Sequence, residues 1–315
     1  MYQSLKEQTT DFHIYIFAFD DLSYGLLLLL NLEHATIISL NEFETDELKN
    51  VKKNRSIAEY CWTCTPSTIS YVLHKYNLPN CTYIDSDLYF YSDPSVLISE
   101  MKENGKTVLI TEHRFSFLPK LHGEKKAGKF CVQFITFSND DKSLEILDKW
   151  RNQCIDWCYA RYEDGKFGDQ KYLDAWPFSY PNVHILQHHG GGIAPWNLTQ
   201  YLFTKDGNSA TGEKRTTGNV FKVVFFHFQY VKFFMDGSYD IGWYYISSKV
   251  RKMFYMPYLR KIEEIERIVH ELNAEYKTGF TDLKAKSLKN FMKSGIKKIF
   301  GYNIIKKQIS NGISY

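Results

Sequence analysis

Apolar positions along the chain follow two periodicities: short β-branched and aromatic runs, and longer stretches in which apolar residues recur every three to four positions. Phe12-His-Ile-Tyr-Ile-Phe-Ala-Phe19 is a run of the first kind and ends in Asp20-Asp21. That is the pattern of a buried strand delivering carboxylates to its C-terminal edge. Asp21 suits the cap of a short helix through the leucines that follow. Ala35 to Leu40 reads as a second strand. A helix is expected from about Ser56 to Tyr76, kinked or broken at Pro66. Cys81-Thr-Tyr-Ile-Asp-Ser-Asp87 reads as a third strand running into two aspartates. Thr107–Thr111 and Lys129–Phe137 read as further strands, and about Leu144 to Tyr159 as a helix. Strands alternating with helices argue a mainly parallel sheet with helices on both faces.

The later chain has a different texture. Lys166 to Trp196 is dense in Gly, His, Trp and Asp, and the polar, Gly-rich Asp206–Asn219 reads as a mobile surface loop. Phe221-Lys-Val-Val-Phe-Phe-His-Phe228 is a late strand. After Tyr255, Leu259, Ile262, Ile265, Val269 and Leu272 keep a helical period. The chain thus divides into a domain over residues 1–250 and a helical, basic C-terminal extension over 251–315. In the extension Lys284, Lys286, Lys289, Lys293, Lys297, Lys298, Lys306 and Lys307 accompany a stripe of Leu288, Phe291, Met292, Ile296, Ile299 and Phe300. Such a segment either lies flat on an anionic membrane surface or packs on the domain with its basic face in solvent.

Composition narrows the class. The chain of 315 residues has 39 Lys+Arg against 36 Asp+Glu, a net +3, so no global field selects nucleic acid. With 44% apolar and 24% charged residues, disordered, collagen-like and coiled-coil classes are excluded. The run Leu26–Leu30 is far below the roughly 18 apolar residues of a spanning helix. The opening MYQSLKEQTTDF lacks the basic-then-apolar order of a secretory signal. Six cysteines in this length make no disulfide framework and point to a reducing cytosolic compartment. Aromatics, at 17%, fit ring stacking on a ligand and a Tyr/Phe-rich core equally well.

Four segments carry candidate chemistry. Asp85-Ser-Asp87 at a strand end lets both carboxylates reach one divalent cation, though two solvated aspartates on a surface turn give the same pattern. In Gly168-Asp169-Gln170, Asp169 is either a helix cap or a ligand-facing acid. His188-His-Gly-Gly-Gly-Ile-Ala-Pro-Trp-Asn197 combines glycines that permit close backbone approach with hydrogen-bonding side chains; a flexible loop is the plainer alternative. His227, inside an apolar strand, is a cation ligand or a satisfied core histidine.

Together these segments resemble the GT-A fold nucleotide-sugar glycosyltransferases, especially the family-8-like branch of bacterial surface-polysaccharide enzymes. The resemblance rests on Asp85-Ser-Asp87, Asp169-Gln170, Gly190-Gly-Gly192 with Pro195-Trp-Asn197, and His227-Phe228, in order across roughly residues 10 to 235. It implies an α/β fold with a Rossmann-like mixed sheet flanked by helices. It also implies transfer of a hexose from a nucleotide diphosphate donor, a UDP-sugar, to a glycan or lipid-linked saccharide at the cytoplasmic membrane face. Asp85, Asp87 and His227 would bind Mn²⁺ or Mg²⁺. Asp169 would hydrogen-bond donor-sugar hydroxyls, and Gln170 would lie near the anomeric carbon, with retention of configuration. His189, Gly191, Trp196 and Asn197 would line the sugar and acceptor side, and Asp20 the base or ribose.

The chain departs from that pattern in three places. Tyr230 stands where the family has Gly, and Lys232, the expected diphosphate ligand, comes one residue early. Phe130-Cys-Val-Gln-Phe134 lacks the family's Asn-x-Gly, with Gln133 as the substitute beside the donor. The family's opening nucleotide-binding strand has no counterpart before Phe12; Met1–Glu7 reads as the helix that follows it, which leaves unpaired backbone groups or a rearranged strand order. Two other classes share some of these residues. Haloacid-dehalogenase phosphatases use Asp-x-Asp with a later Gly-Asp-x-x-x-x-Asp, matched by Asp85, Asp87, Asp169 and Asp174, but on their first strand. A degenerate protein that only binds sugar nucleotide is the non-catalytic alternative. Zinc on Cys61, Cys64, Cys154, Cys158, His184 and His188 is a further arrangement the spacings permit, although the cysteine pairs fall in helical patterns.

Overall fold

Phe130 to Phe137 is buried at every position, as a strand at the centre of a sheet covered on both faces must be. In the computed structural model, which describes residues 1–274, 276, 279–281 and 302–306, this run is β6 (Phe130–Ser138). It is flanked by β3 (Asn80–Ile84) and β5 (Val108–Glu112), with β7 (Val183–Ile185) beyond β5, in the order β3-β6-β5-β7. The sheet is mixed. β3 and β5 run antiparallel to β6 and β7 runs parallel to β5, so the mainly parallel expectation is corrected.

Helices cover both faces. On one side α5 (Ile57–Tyr76) and α8 (Asp141–Asp156) lay Ile69, Leu73, Ile146, Leu147, Trp150 and Cys154 against Val108, Ile110, Phe130 and Val132. On the other, α6 (Ser95–Glu103) buries Leu97 and Met101 against Leu109 and Phe134. α5 starts with a reciprocal Ser56–Glu59 capping box, ends at Asn77 in the left-handed conformation, and carries Pro66 within one continuous helix rather than at a break. Trp150, fully buried, stacks on Phe137 and donates its indole N–H to the Asp169 carbonyl at 2.9 Å. The core thereby fixes a backbone position of the candidate site.

β1 (Ile14–Ala18) and β2 (Ala35–Ser39) form their own parallel pair, joined by α2 (Asp21–Leu29). Among the described residues no strand bonds this pair to β3, which stands at the edge of the four-stranded sheet. The first residues form α1 (Tyr2–Lys6), as the sequence reading expected. α2 is capped by Asp20, whose carboxylate accepts from both the amide and hydroxyl of Ser23, so the cap falls one residue before the Asp21 expected.

Two segments of the late chain differ from expectation. Half of Asp206–Asn219 is sheet: β8 (Tyr201–Asp206) turns tightly through Gly207 into β9 (Ser209–Lys214), which pairs with β10 (Val220–Lys222). The late apolar run is two strands in two sheets. After β10 the chain crosses, with the Val223 amide on the Ala210 carbonyl and the Val224 amide on the Gly190 carbonyl, into β11 (Phe225–His227), which pairs with β4 (Leu88–Phe90).

The described chain groups into two compact units, Met1–His227 and Phe228–Tyr315. The second has a four-stranded sheet ordered β14-β12-β13-β15 (Phe280–Thr281, Lys232–Phe234, Ser238–Asp240 and Ile304–Lys306). Its helix Met256–Leu272 bears out the helical period after Tyr255, and Phe228 stacks on Tyr258 of that helix. The basic apolar stripe from Leu288 to Phe300 lies outside the described residues.

Candidate metal centre

Three side chains distant in sequence meet because β4 and β11 pair. Antiparallel register sets His227 opposite Leu88, the residue after Asp87. Asp85 leaves β3 with its amide on the Gln133 carbonyl at 3.1 Å, and its own carbonyl accepts the Leu88 amide at 3.2 Å, closing the turn that aims both carboxylates. His227 Nε2 then lies 3.1 Å from an Asp87 oxygen and 3.6 Å from an Asp85 oxygen. These three residues offer one ligand atom each within 4.8 Å of one another, and no other group of this kind is found among the described residues. Among the cysteines and histidines considered for zinc, His184 instead bonds Glu100 at 2.6 Å, and all six cysteines are free thiols.

The electrostatics suit a cation. Burial raises the Asp85 carboxyl, the Asp87 charge raises it further, and His227 and the Tyr83 hydroxyl at 2.9 Å offset only part of that rise. Burial also opposes the Asp87 charge, but the charge and hydrogen bond of His227 outweigh it and hold Asp87 below the usual range. His227, penalised by burial, is raised by the two aspartates. Asp169, buried within reach of the Asp85 charge, is pushed up to about 8 by burial first and that neighbour second. The Thr65 hydroxyl of α5 donates to the Cys61 carbonyl at 3.4 Å, and as a polar neighbour it offsets a small part of the rise at Tyr83 and Asp169. Two half-buried carboxylates and one imidazole nitrogen converging on one point, with the Asp87 charge raising Asp85, fit Mn²⁺ or Mg²⁺, since a cation relieves the repulsion between the two acids.

The remaining site candidates fall in several places. Gln133 accepts from His227 Nδ1 at 2.7 Å, and Gln170 donates its amide to the Ala127 carbonyl at 2.7 Å. Trp196 sets its ring edge-on against His227 at 5.4 Å and donates to the His113 carbonyl at 2.7 Å. The fully buried Asn197 amide is committed to the His113 and Gly192 carbonyls and the Ala194 amide. His189 lies toward the other end of β11, against Tyr201 and Phe221. Burial, then Arg114, Lys214 and His188, lower it to about 4. Asp20 is an exposed helix cap. Lys232 belongs to the second unit, its ammonium 4.7 Å from the Tyr230 ring centroid. Asp174 spends its carboxylate on the Lys129 amide and the Lys171 ammonium.

The three glycines make room for packing. A Cβ on Gly190 would stand 1.9 Å from the Lys222 carbonyl oxygen, and one on Gly191 2.5 Å from Leu186. Gly192, at φ +105°, would bring its Cβ 2.9 Å from Thr111 and 3.0 Å from Gln133. Drawn close, this segment lies along β11, and the Ile193 carbonyl accepts the His227 amide at 2.8 Å. Sequence reasoning missed what secures it. The half-buried Arg114 guanidinium donates to the carbonyls of Leu186, His188 and Gly191, and Glu100 accepts from His184 and from the amides of Gln187 and His188. The one available signal was the charged Glu112-His113-Arg114 directly after an apolar strand. His113, stacked on Phe115, is lowered by burial to about 3.

Fold and site define an α/β protein with a mixed sheet flanked by helices and a candidate Asp-Asp-His metal centre. No protein-family profile matches the chain. It is 32% identical over 277 residues to the uncharacterized protein YfnD of Bacillus subtilis (strain 168), covering 84% of this chain and 86% of that protein. To the uncharacterized YfnF of the same organism it is 32% identical over 217 residues, 66% of this chain and 70% of that one. The chain belongs to the family of YfnD. Among solved structures, mouse xyloside xylosyltransferase 1 in its apo form overlaps 58% of this chain and 76% of its own, at 13% identity and TM-score 0.37. A197 from STIV overlaps 67% and 93%, at 9% identity and TM-score 0.26. Both likenesses are partial, and no role is carried from either.

The glycine geometry predicts opposite signs for two substitutions. Gly192→Ala, strained in φ and crowded, lowers unfolding free energy by more than about 1 kcal/mol, whereas Gly25→Ala, helical with open space around it, raises it by about 0.5–1 kcal/mol. Urea unfolding of both variants checks this; equal stabilities would contradict the packing role.

Proposed function

We propose that this protein is a metal-dependent glycosyltransferase of GT-A type, moving a hexose from a nucleotide diphosphate donor, a UDP-sugar, to a glycan or lipid-linked saccharide. The single observation that carries the reading is the Asp85–Asp87–His227 group, in which a strand-end Asp-x-Asp is completed by a histidine from a paired strand. Mn²⁺ or Mg²⁺ held there by Asp85, Asp87 and His227 supplies charge neutralisation for the donor diphosphate and its departure. Tyr83 holds Asp85 in the ligating pose through its 2.9 Å hydrogen bond. Asp169, largely neutral at pH 7, keeps a proton to donate to donor-sugar hydroxyls or accepts from them once ionised. Gln170, next along the chain, faces the reacting carbon in this reading, and retention of configuration follows from the Asp169-Gln170 resemblance.

Calorimetric titration of UDP and GDP, with Mn²⁺ and with EDTA, tests the donor class. UDP binding that needs the metal and is lost in Asp87→Asn is expected; binding indifferent to EDTA would sink the metal dependence. Protons compete with the cation for Asp85 and His227, both with raised pKa, so lowering the pH protonates these ligands. Mn²⁺ affinity therefore falls as pH is taken from about 8 to about 6.

The lipid-linked acceptor places the protein on the cytoplasmic face of a membrane, held by the lysines of 281–315. Co-sedimentation with vesicles containing phosphatidylserine, lost on replacing Lys284, Lys286, Lys289 and Lys293 by Glu, is the expected result. Partition unchanged by these substitutions would remove the attachment.

A further inference from the structure

Gln133 occupies an irregular stretch of β6. Between Leu109↔Thr136 and Thr111↔Cys131 the β5–β6 register shifts, so β6 carries extra residues where β5 has only Ile110. The faces shift with it: Val132 packs into the core under α5 and α8, but Phe134, two residues on, packs into the opposite one. Such bulges re-aim a side chain beside a site. Here the Thr111 hydroxyl donates to the Phe134 carbonyl at 2.9 Å, and Gly192, lacking a Cβ, leaves space for the Gln133 amide.

The re-aimed residue touches two of the candidate metal ligands. Its carbonyl accepts the Asp85 amide at 3.1 Å, and its Oε1 lies 2.7 Å from His227 Nδ1. Gln133 is fully buried and His227 5% exposed, so neither has water as an alternative partner. An amide oxygen can only accept, which requires the proton on Nδ1 and turns Nε2 toward Asp85 and Asp87. The opposite amide orientation would give Nδ1 a donor instead and leave the proton on Nε2, where it blocks ligation.

We propose that Gln133 is the positioning residue of the metal centre: its side chain sets the tautomer and ring angle of His227 while its backbone places Asp85. This deepens the metal reading above and rests on it, and it differs from the donor contact expected of Gln133 from sequence. Outer partners of this kind commonly change metal affinity 10- to 100-fold.

The test uses the full chain and Mn²⁺ as probe, in wild type, Gln133→Met, Gln133→Glu, His227→Ala and the Gln133→Met/His227→Ala double variant, each checked for folding by circular dichroism. Gln133→Met, which keeps volume but removes the acceptor, is expected to weaken Mn²⁺ binding about 10- to 100-fold, and Gln133→Glu to restore it to within a few-fold. With His227 already replaced, Gln133→Met should add no further loss, because its effect passes through the histidine. A metal-free readout separates this inference from the metal reading. In ¹⁵N-labelled wild type at alkaline pH, where the neutral ring carries a single proton, the His227 Nδ1–H should be present and protected from exchange, and Gln133→Met should lose that signal. Wild type that shows the protected proton yet binds no Mn²⁺ would fail the metal reading alone. A folded Gln133→Met with wild-type affinity, a loss that persists undiminished without His227, or no protected proton in wild type would overturn the assignment of Gln133.

Discussion

Crowding the half-buried Asp85 carboxyl against Asp87 and the buried Asp169 is costly, and much of the first unit is arranged so that the chain tolerates it. Asp85 and Asp169 are both raised by burial and by a neighbouring charge, and the Tyr83 hydroxyl supplies a hydrogen bond to Asp85 that offsets part of it. The compensating group from the protein is His227, which arrives from the far end of the unit only because β11 pairs with β4. A slip of that register by one residue would turn His227 to the opposite face and leave the aspartates facing apolar Phe226.

That dependence explains the effort spent on a turn with no ligating side chain. β11 is short, three residues, and cannot hold its own register. It is held from the other side by the glycine segment, through the Gly190 and Ile193 carbonyls. The segment in turn hangs from Arg114, which caps three of its carbonyls, and from Glu100, which takes its amides. Arg114 adopts φ +50°, and its half-buried guanidinium donates to three carbonyls, so backbone strain at one residue is offset by three charge-assisted hydrogen bonds. Asn197 and Trp196 close the same arch on the His113 carbonyl.

Much of this was legible in the sequence where local pattern decides structure. β1, β2, β3, β5 and β6 are runs rich in β-branched and aromatic residues, and the α5 capping box and the Asp85–Asp87 turn are local as well. The β8–β9 hairpin was hidden because one face is polar and Leu202 on it is exposed, so its apolar positions are too few to stand out from a loop. Phe221–Phe228 read as one strand because nothing local marks the crossover at Val223 and Val224; the partners that break it, Ala210 and Gly190, are distant. Meeting of the Asp85, Asp87 and His227 side chains was anticipated only through resemblance. The bulge at Gln133 has no local signature and the arginine cap only the charged Glu112-His113-Arg114 after β5, because each is defined by what another strand or turn leaves unfilled.

The central claim is that three named side chains share one cation. Electron spin echo spectroscopy of Mn²⁺ added to the protein reads the ligands directly, because a bound imidazole imprints a nitrogen coupling that carboxylates cannot. The account predicts coupling from one histidine nitrogen, abolished in His227→Ala while the fold persists. A bound Mn²⁺ with no nitrogen coupling, or with coupling that survives His227→Ala, would contradict it.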